Sequence, residues 1–80
     1  MKLTICLGSE SRLKGSSRVV SGLRDLITTN GLSEEVILTG TFNEAPVTGV
    51  AVWVDDQIFS VTPENVAEFF KTQVLDKLGR

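Results

Sequence analysis

"VAVWVDDQIFSVTPENV", residues 50–66, decides the fold. Two β-rich runs, 50–54 and 57–61, flank Asp55-Asp56. Such runs separated by two turn-prone residues read as a hairpin, although this pair lacks the usual glycine. Thr62-Pro63-Glu64 then starts a helix, with a hydroxyl at the N-cap, proline at the first helical position and an acid in the first turn. Val66, Phe69, Phe70 and Val74 recur at helical spacing, so one apolar stripe predicts a helix over 63–77, with Leu75 or Leu78 extending it. This half of the chain reads ββα.

The other half reads βαβ. In "KLTICL" (2–7), Leu3, Ile5 and Leu7 share one face and Thr4 and Cys6 the other, a pattern suited to an interior strand. A loop runs through Lys14-Gly15, and Ser16 or Ser17 supplies the N-cap of a helix over about 16–30. Val19, Val20, Leu23, Leu26 and Ile27 form its apolar stripe, and Asn30-Gly31 closes it. "EEVILT" (34–39) is a second strand and "GTFNEAPVTG" (40–49) a loop by composition. Strand, helix and strand within 40 residues make a right-handed crossover and a parallel pair. The βαβ-ββα order predicts an α/β domain of the thioredoxin-like kind, a four-strand mixed sheet with two main helices. Its expected core is Leu3, Ile5, Leu7, Val20, Leu23, Ile27, Ile37, Val52, Val54, Val66, Phe69 and Phe70.

Eighty residues make a single domain, 1–80, and 41% hydrophobic content belongs to a folded chain, not a disordered one. A domain this small buries only about 60% of its unfolded surface, which makes self-association a useful supplement to its stability. Eight basic and ten acidic residues give a net charge of −2, which excludes general attraction to nucleic acid. The apolar run "LTICL" near the N-terminus is too short for a signal-peptide core or a membrane span. One cysteine rules out an internal disulfide and fits a reducing compartment, so a cytoplasmic location is expected. There is no histidine, which removes the commonest acid–base group near neutral pH.

"CLGSESRLKG" (6–15), "FNEAPVTGVAVWVDD" (42–56) and "VTPENV" (61–66) together resemble the thioredoxin-like 2Fe–2S ferredoxins, the family that includes ferredoxin-type domains of NADH dehydrogenase and hydrogenase subunits. In that family an opening strand ends in C-x-G-x-x-C before a basic loop, a glycine and the first helix. Cys6, Gly8 and Gly15 match, while Ser11 stands where the second ligand belongs. The family's second pair is C-x-x-x-C, and Asn43 and Val47 lie nearest those positions, in a register that needs a one-residue deletion near Thr48–Gly49. Four thiolates, two per iron, hold such a cluster. The resemblance therefore implies the fold and a redox-complex context, with the cluster lost. No metal site and no cofactor of its own are expected.

Cys6 has three readings: a small buried residue on an interior strand, a reactive thiol with Arg12 and Lys14 for charge, or one ligand of a cluster shared between subunits with small external thiols. The Gly/Ser/Lys loop fails P-loop spacing because Lys14 precedes its glycine, and it reads as a solvated loop. Asp55 and Asp56 supply too few oxygens for a cation and read as a turn. Glu10 and Glu44, in the loops that correspond to the cluster loops, read as solvated charges, and Trp53 as core or interface packing. No catalytic residue stands out. The expected function is a non-catalytic docking or dimerising module with a protein partner. The alternative is a redox protein acting through Cys6.

Overall fold

In a computed structural model that describes residues 1–79, the chain forms strands β1 (Lys2–Cys6), β2 (Ile37–Thr41), β3 (Val50–Val54) and β4 (Gln57–Val61). Its helices are α1 (Ser9–Leu13), α2 (Ser16–Thr29) and α3 (Val66–Phe70), the last continued by a π-helical turn, Lys71–Leu75. The sheet order is β2-β1-β3-β4. β1 runs parallel to β2, with Lys2 opposite Ile37 and Cys6 opposite Thr41. β1–β3 and β3–β4 are antiparallel, pairing Leu3 with Val54 and Val54 with Gln57. The four-strand mixed sheet and the two main helices are as the sequence pattern predicts.

Strand alternation decides what the helices cover. Leu3, Ile5, Val50, Val52, Val54 and Val61 form one buried cluster with Val19, Leu23 and Ile27 of α2 and with Val66, Phe69 and Phe70 of α3. Both main helices therefore pack on the same face of the sheet. They also touch each other: a Cβ at Gly22 would stand 3.2 Å from Val66 Cγ1, so a small residue suits that approach. Phe59 of β4 meets Phe69 edge-on at 5.6 Å between centroids.

Several local expectations are corrected. β2 begins at Ile37, not at Glu34, because its first ladder bond is Ile37 N–H to the Met1 carbonyl, where β1 starts. The preceding residues turn instead, with Val36 N–H donating to Leu32 O at 2.9 Å and Val36 buried. Ile37 pairs with Lys2 and so shares the sheet face that the helices do not cover. Ile37, expected in the core, is 62% exposed, while Leu32 and Val36 are the buried residues beside it. Leu7 and Val20 pack on the edge of the core and are only half-buried. Val19 takes the central place that Val20 was expected to fill.

The 8–15 loop contains α1, closed by an Arg12 N–H to Gly8 O bond of 2.9 Å. Neither Ser16 nor Ser17 caps α2. The N-cap is Gly15 at φ 97°, a left-handed conformation that glycine adopts without steric cost. Gly31 at φ 66° ends α2 as expected, with Leu32 N–H reaching back to Ile27 O. At the last helix, regular α structure begins at Val66, not at Pro63. Thr62 and Asn65 instead exchange bonds across the turn: Thr62 N–H to Asn65 Oδ1 at 2.8 Å, and Asn65 N–H to Thr62 Oγ1 at 3.2 Å. That reciprocity is capping-box geometry, with an amide in place of the usual acid. The widened turn that follows coincides with Thr72 Oγ1 donating to Glu68 O at 3.1 Å, a side chain drawing on a helix carbonyl.

Candidate functional site

Because β1 and β2 are parallel, their carboxyl ends lie at the same end of the sheet, and the segments that follow them converge there. Leu7 N–H donates to Thr41 O at 2.7 Å, extending the ladder one step beyond Cys6. The 42–49 segment then folds back over the end of β1. Its Glu44 carboxylate accepts a hydrogen bond from Cys6 Sγ at 3.0 Å, and its Val47 carbonyl accepts one from Lys14 Nζ at 3.0 Å. The two loops singled out by the family resemblance are thus tied together by two side-chain hydrogen bonds.

Cys6 is fully buried, as the first of its three readings has it. Glu44 is not simply a solvated charge, since its Oε1 is the acceptor for the only thiol in the chain. Gly8 makes that contact possible by having no side chain, because a Cβ there would land on the Glu44 carboxylate. Its backbone is ordinary at φ −66°, so Gly8 is needed for space and Gly15 for conformation. Glu10, Arg12 and Glu44 line the same cleft.

The remaining predicted ligand positions are found at this same end of the molecule. Ser11 lies on α1 and is 4% exposed. Asn43 is exposed, its backbone N–H donating to Thr41 Oγ1 at 3.2 Å. Val47 is half-buried and bears no donor atom on its side chain. This set does not fit a 2Fe–2S cluster: a hydroxyl is far less acidic than a thiol, an amide offers a neutral oxygen, and valine offers nothing. Among the described residues, no group of three or more His, Cys, Asp or Glu side chains is placed to hold a metal ion.

Beside this junction lies an open cleft of about 780 Å³. Leu7, Leu13 and Phe42 make its apolar wall; Leu13 is 89% and Phe42 78% exposed. Arg12 supplies the charge, and the first turn of α2 closes the floor through Ser16 and Ser17. The sequence pattern did not single out this wall, because Leu13 and Phe42 each stand alone in loop-like composition; only the folding-back of both segments brings them together. No helix among the described residues is long and apolar enough to cross a membrane. Comparison with known families and with curated proteins finds no family model and no curated protein that matches the chain.

Proposed function

We propose that the chain is a ferredoxin-type domain of the thioredoxin-like kind that has no cluster of its own and serves as a non-catalytic docking or dimerising module of a redox complex. The observation that carries this reading is the donor set: one thiol, buried and bonded to Glu44, with Ser11, Asn43 and Val47 at the other ligand positions. The exposed wall of Leu13 and Phe42 supports it, since large apolar side chains left in water beside a cleft suit a protein contact. A cytoplasmic location goes with the single unpaired thiol, and a protein rather than nucleic-acid partner goes with the net charge of −2.

Reconstitution tests the reading. Wild type incubated with ferrous iron, sulfide and a thiol without oxygen, then desalted, remains colourless. The variant Ser11→Cys/Asn43→Cys/Val47→Cys gains visible absorption and bound iron. Wild type that takes up a cluster lost on Cys6→Ser would instead establish the second reading, redox chemistry through Cys6. That reading draws on one observation, that the Cys6 thiol donates to the carboxylate of a surface residue, Glu44.

A further inference from the structure

The start of α2 is left open. Its N-cap, Gly15, has no side chain with which to close it. The Arg18 and Val19 N–H groups both donate to Gly15 O, at 3.1 and 3.0 Å, while those of Ser16 and Ser17 have no partner among the described residues. These two serines lie against the open cleft beside Arg12, whose exposed guanidinium forms no ion pair among the described residues. Ser16 says most. It is only 1% exposed, and its hydroxyl makes no hydrogen bond among the described residues. No fully sealed side-chain oxygen or nitrogen among those residues lacks a partner, so the sliver of surface that Ser16 keeps belongs to its hydroxyl, on the floor of the cleft. A buried hydroxyl of this kind is costly unless water or a ligand in the cleft bonds to it.

We infer that this cleft captures the carboxyl terminus of a partner polypeptide that ends in an apolar residue. The inference rests on the docking-module reading and names what is docked. A carboxylate only accepts hydrogen bonds, and it would meet a guanidinium, two free N–H groups and a hydroxyl able to donate. The N-terminal end of a 14-residue helix adds its partial positive charge. Glu10 and Glu44 line the adjoining cleft and are not among the residues of this one, so Arg12 sets the charge here. The apolar part of the occupant is set by Leu7, Leu13 and Phe42. A pocket for a small free acid encloses most of its ligand, whereas Leu13 and Phe42 stand out at the surface and need the body of a longer chain to cover them. A chain end supplies both parts: a carboxylate for the start of α2 and an apolar side chain for the wall. Capture of a terminal carboxylate on free backbone N–H groups is a recurring mode of peptide recognition.

Nuclear magnetic resonance titration of the isotope-labelled chain with acetyl-Ala-Ala-Ala-Leu tests this. The peptide with a free carboxyl terminus shifts the Ser16 and Ser17 amide signals and the Arg12 side-chain signal, and the shifts saturate by millimolar peptide. Its carboxamide form binds about tenfold more weakly, the loss expected when charge-assisted bonds are removed. Arg12→Gln and Phe42→Ser, both at exposed positions, each weaken binding several-fold and leave the thermal melt unchanged. Ser16→Ala weakens binding of the acid but not of the carboxamide. The inference is overturned if no shift saturates, if acid and carboxamide bind alike, or if Arg12→Gln binds as wild type does. Hexanoate binding as tightly as the peptide also overturns it, because the cleft would then be a site for a small free acid. Iron and sulfide analysis of the same samples keeps the two readings apart: iron-free protein that ignores the peptide overturns the capture and leaves the docking-module reading standing, while protein loaded with a Cys6-dependent cluster overturns that reading.

Discussion

The two faces of the sheet are made from the same strands and differ by one residue of phase. Val52 and Val54 lie against the helices with almost no exposed surface, while Trp53 between them looks out the other way and stays half in water. Leu3 and Ile5 are buried on the helix side, and Lys2 and Thr4 beside them stand on the bare side. Stability is thus concentrated on one face, where each aliphatic or aromatic side chain contributes the usual ~1.5–3 kcal/mol of burial. The other face is free to carry surface chemistry. The junction at the carboxyl ends of β1 and β2 closes one end of that second face, where Cys6 and Ala51 are buried, and is held by a few polar bonds.

The contrast breaks first at Phe70, which is fully buried on the helix side. Phe70→Ala is expected to cost about 3–5 kcal/mol. That is a large part of the ~5–15 kcal/mol available to a small domain, so the variant unfolds at a much lower urea concentration than wild type. Ile58→Ala on the bare face should stay within about 0.5 kcal/mol of wild type. Urea denaturation of the pair measures the difference, and equal midpoints would mean the faces are not distinct.

Gly15→Ala comes next. A side chain at φ 97° costs about 1–2 kcal/mol, and its Cβ would also press on Pro63 Cγ at 2.9 Å. Thr62→Ala removes half of the reciprocal bonding with Asn65 and should cost about 1 kcal/mol by the same denaturation assay. Glu44→Ala has the smallest effect on stability, under about 1 kcal/mol, because the residue is on the surface. Its consequence lies elsewhere: Cys6 should react several-fold faster with a thiol reagent under native conditions. An unchanged rate would show that burial by the core, and not the Glu44 contact, protects the thiol.

The helix-side architecture was legible because burial leaves a periodic record. Val19, Leu23, Val66 and Phe70 recur at helical intervals, and the valines of 50–54 flank a two-residue turn, so the elements could be read without knowing their partners. Boundaries were less legible where a non-local bond sets them. β2 starts where Met1 offers a carbonyl, a partner 36 residues away that no local pattern around Glu34 announces. α1 is a single short turn with no apolar stripe, so it read as loop. In the candidate site, the buried state of Cys6 followed from its strand, but its bond to Glu44 crosses 38 residues and depends on Gly8 leaving room. The family resemblance picks out Ser11, Asn43 and Val47 as positions; only the fold brings their segments to one end of the sheet.

The central claim is that one buried thiol at the end of β1 does not sustain a cluster. Iron and acid-labile sulfide measured on wild-type protein purified without oxygen, alongside its visible spectrum, tests that most directly. The account predicts colourless protein without stoichiometric iron or sulfide, indistinguishable from Cys6→Ser prepared in parallel. Brown wild-type protein carrying stoichiometric iron and sulfide, both lost in Cys6→Ser, would contradict it.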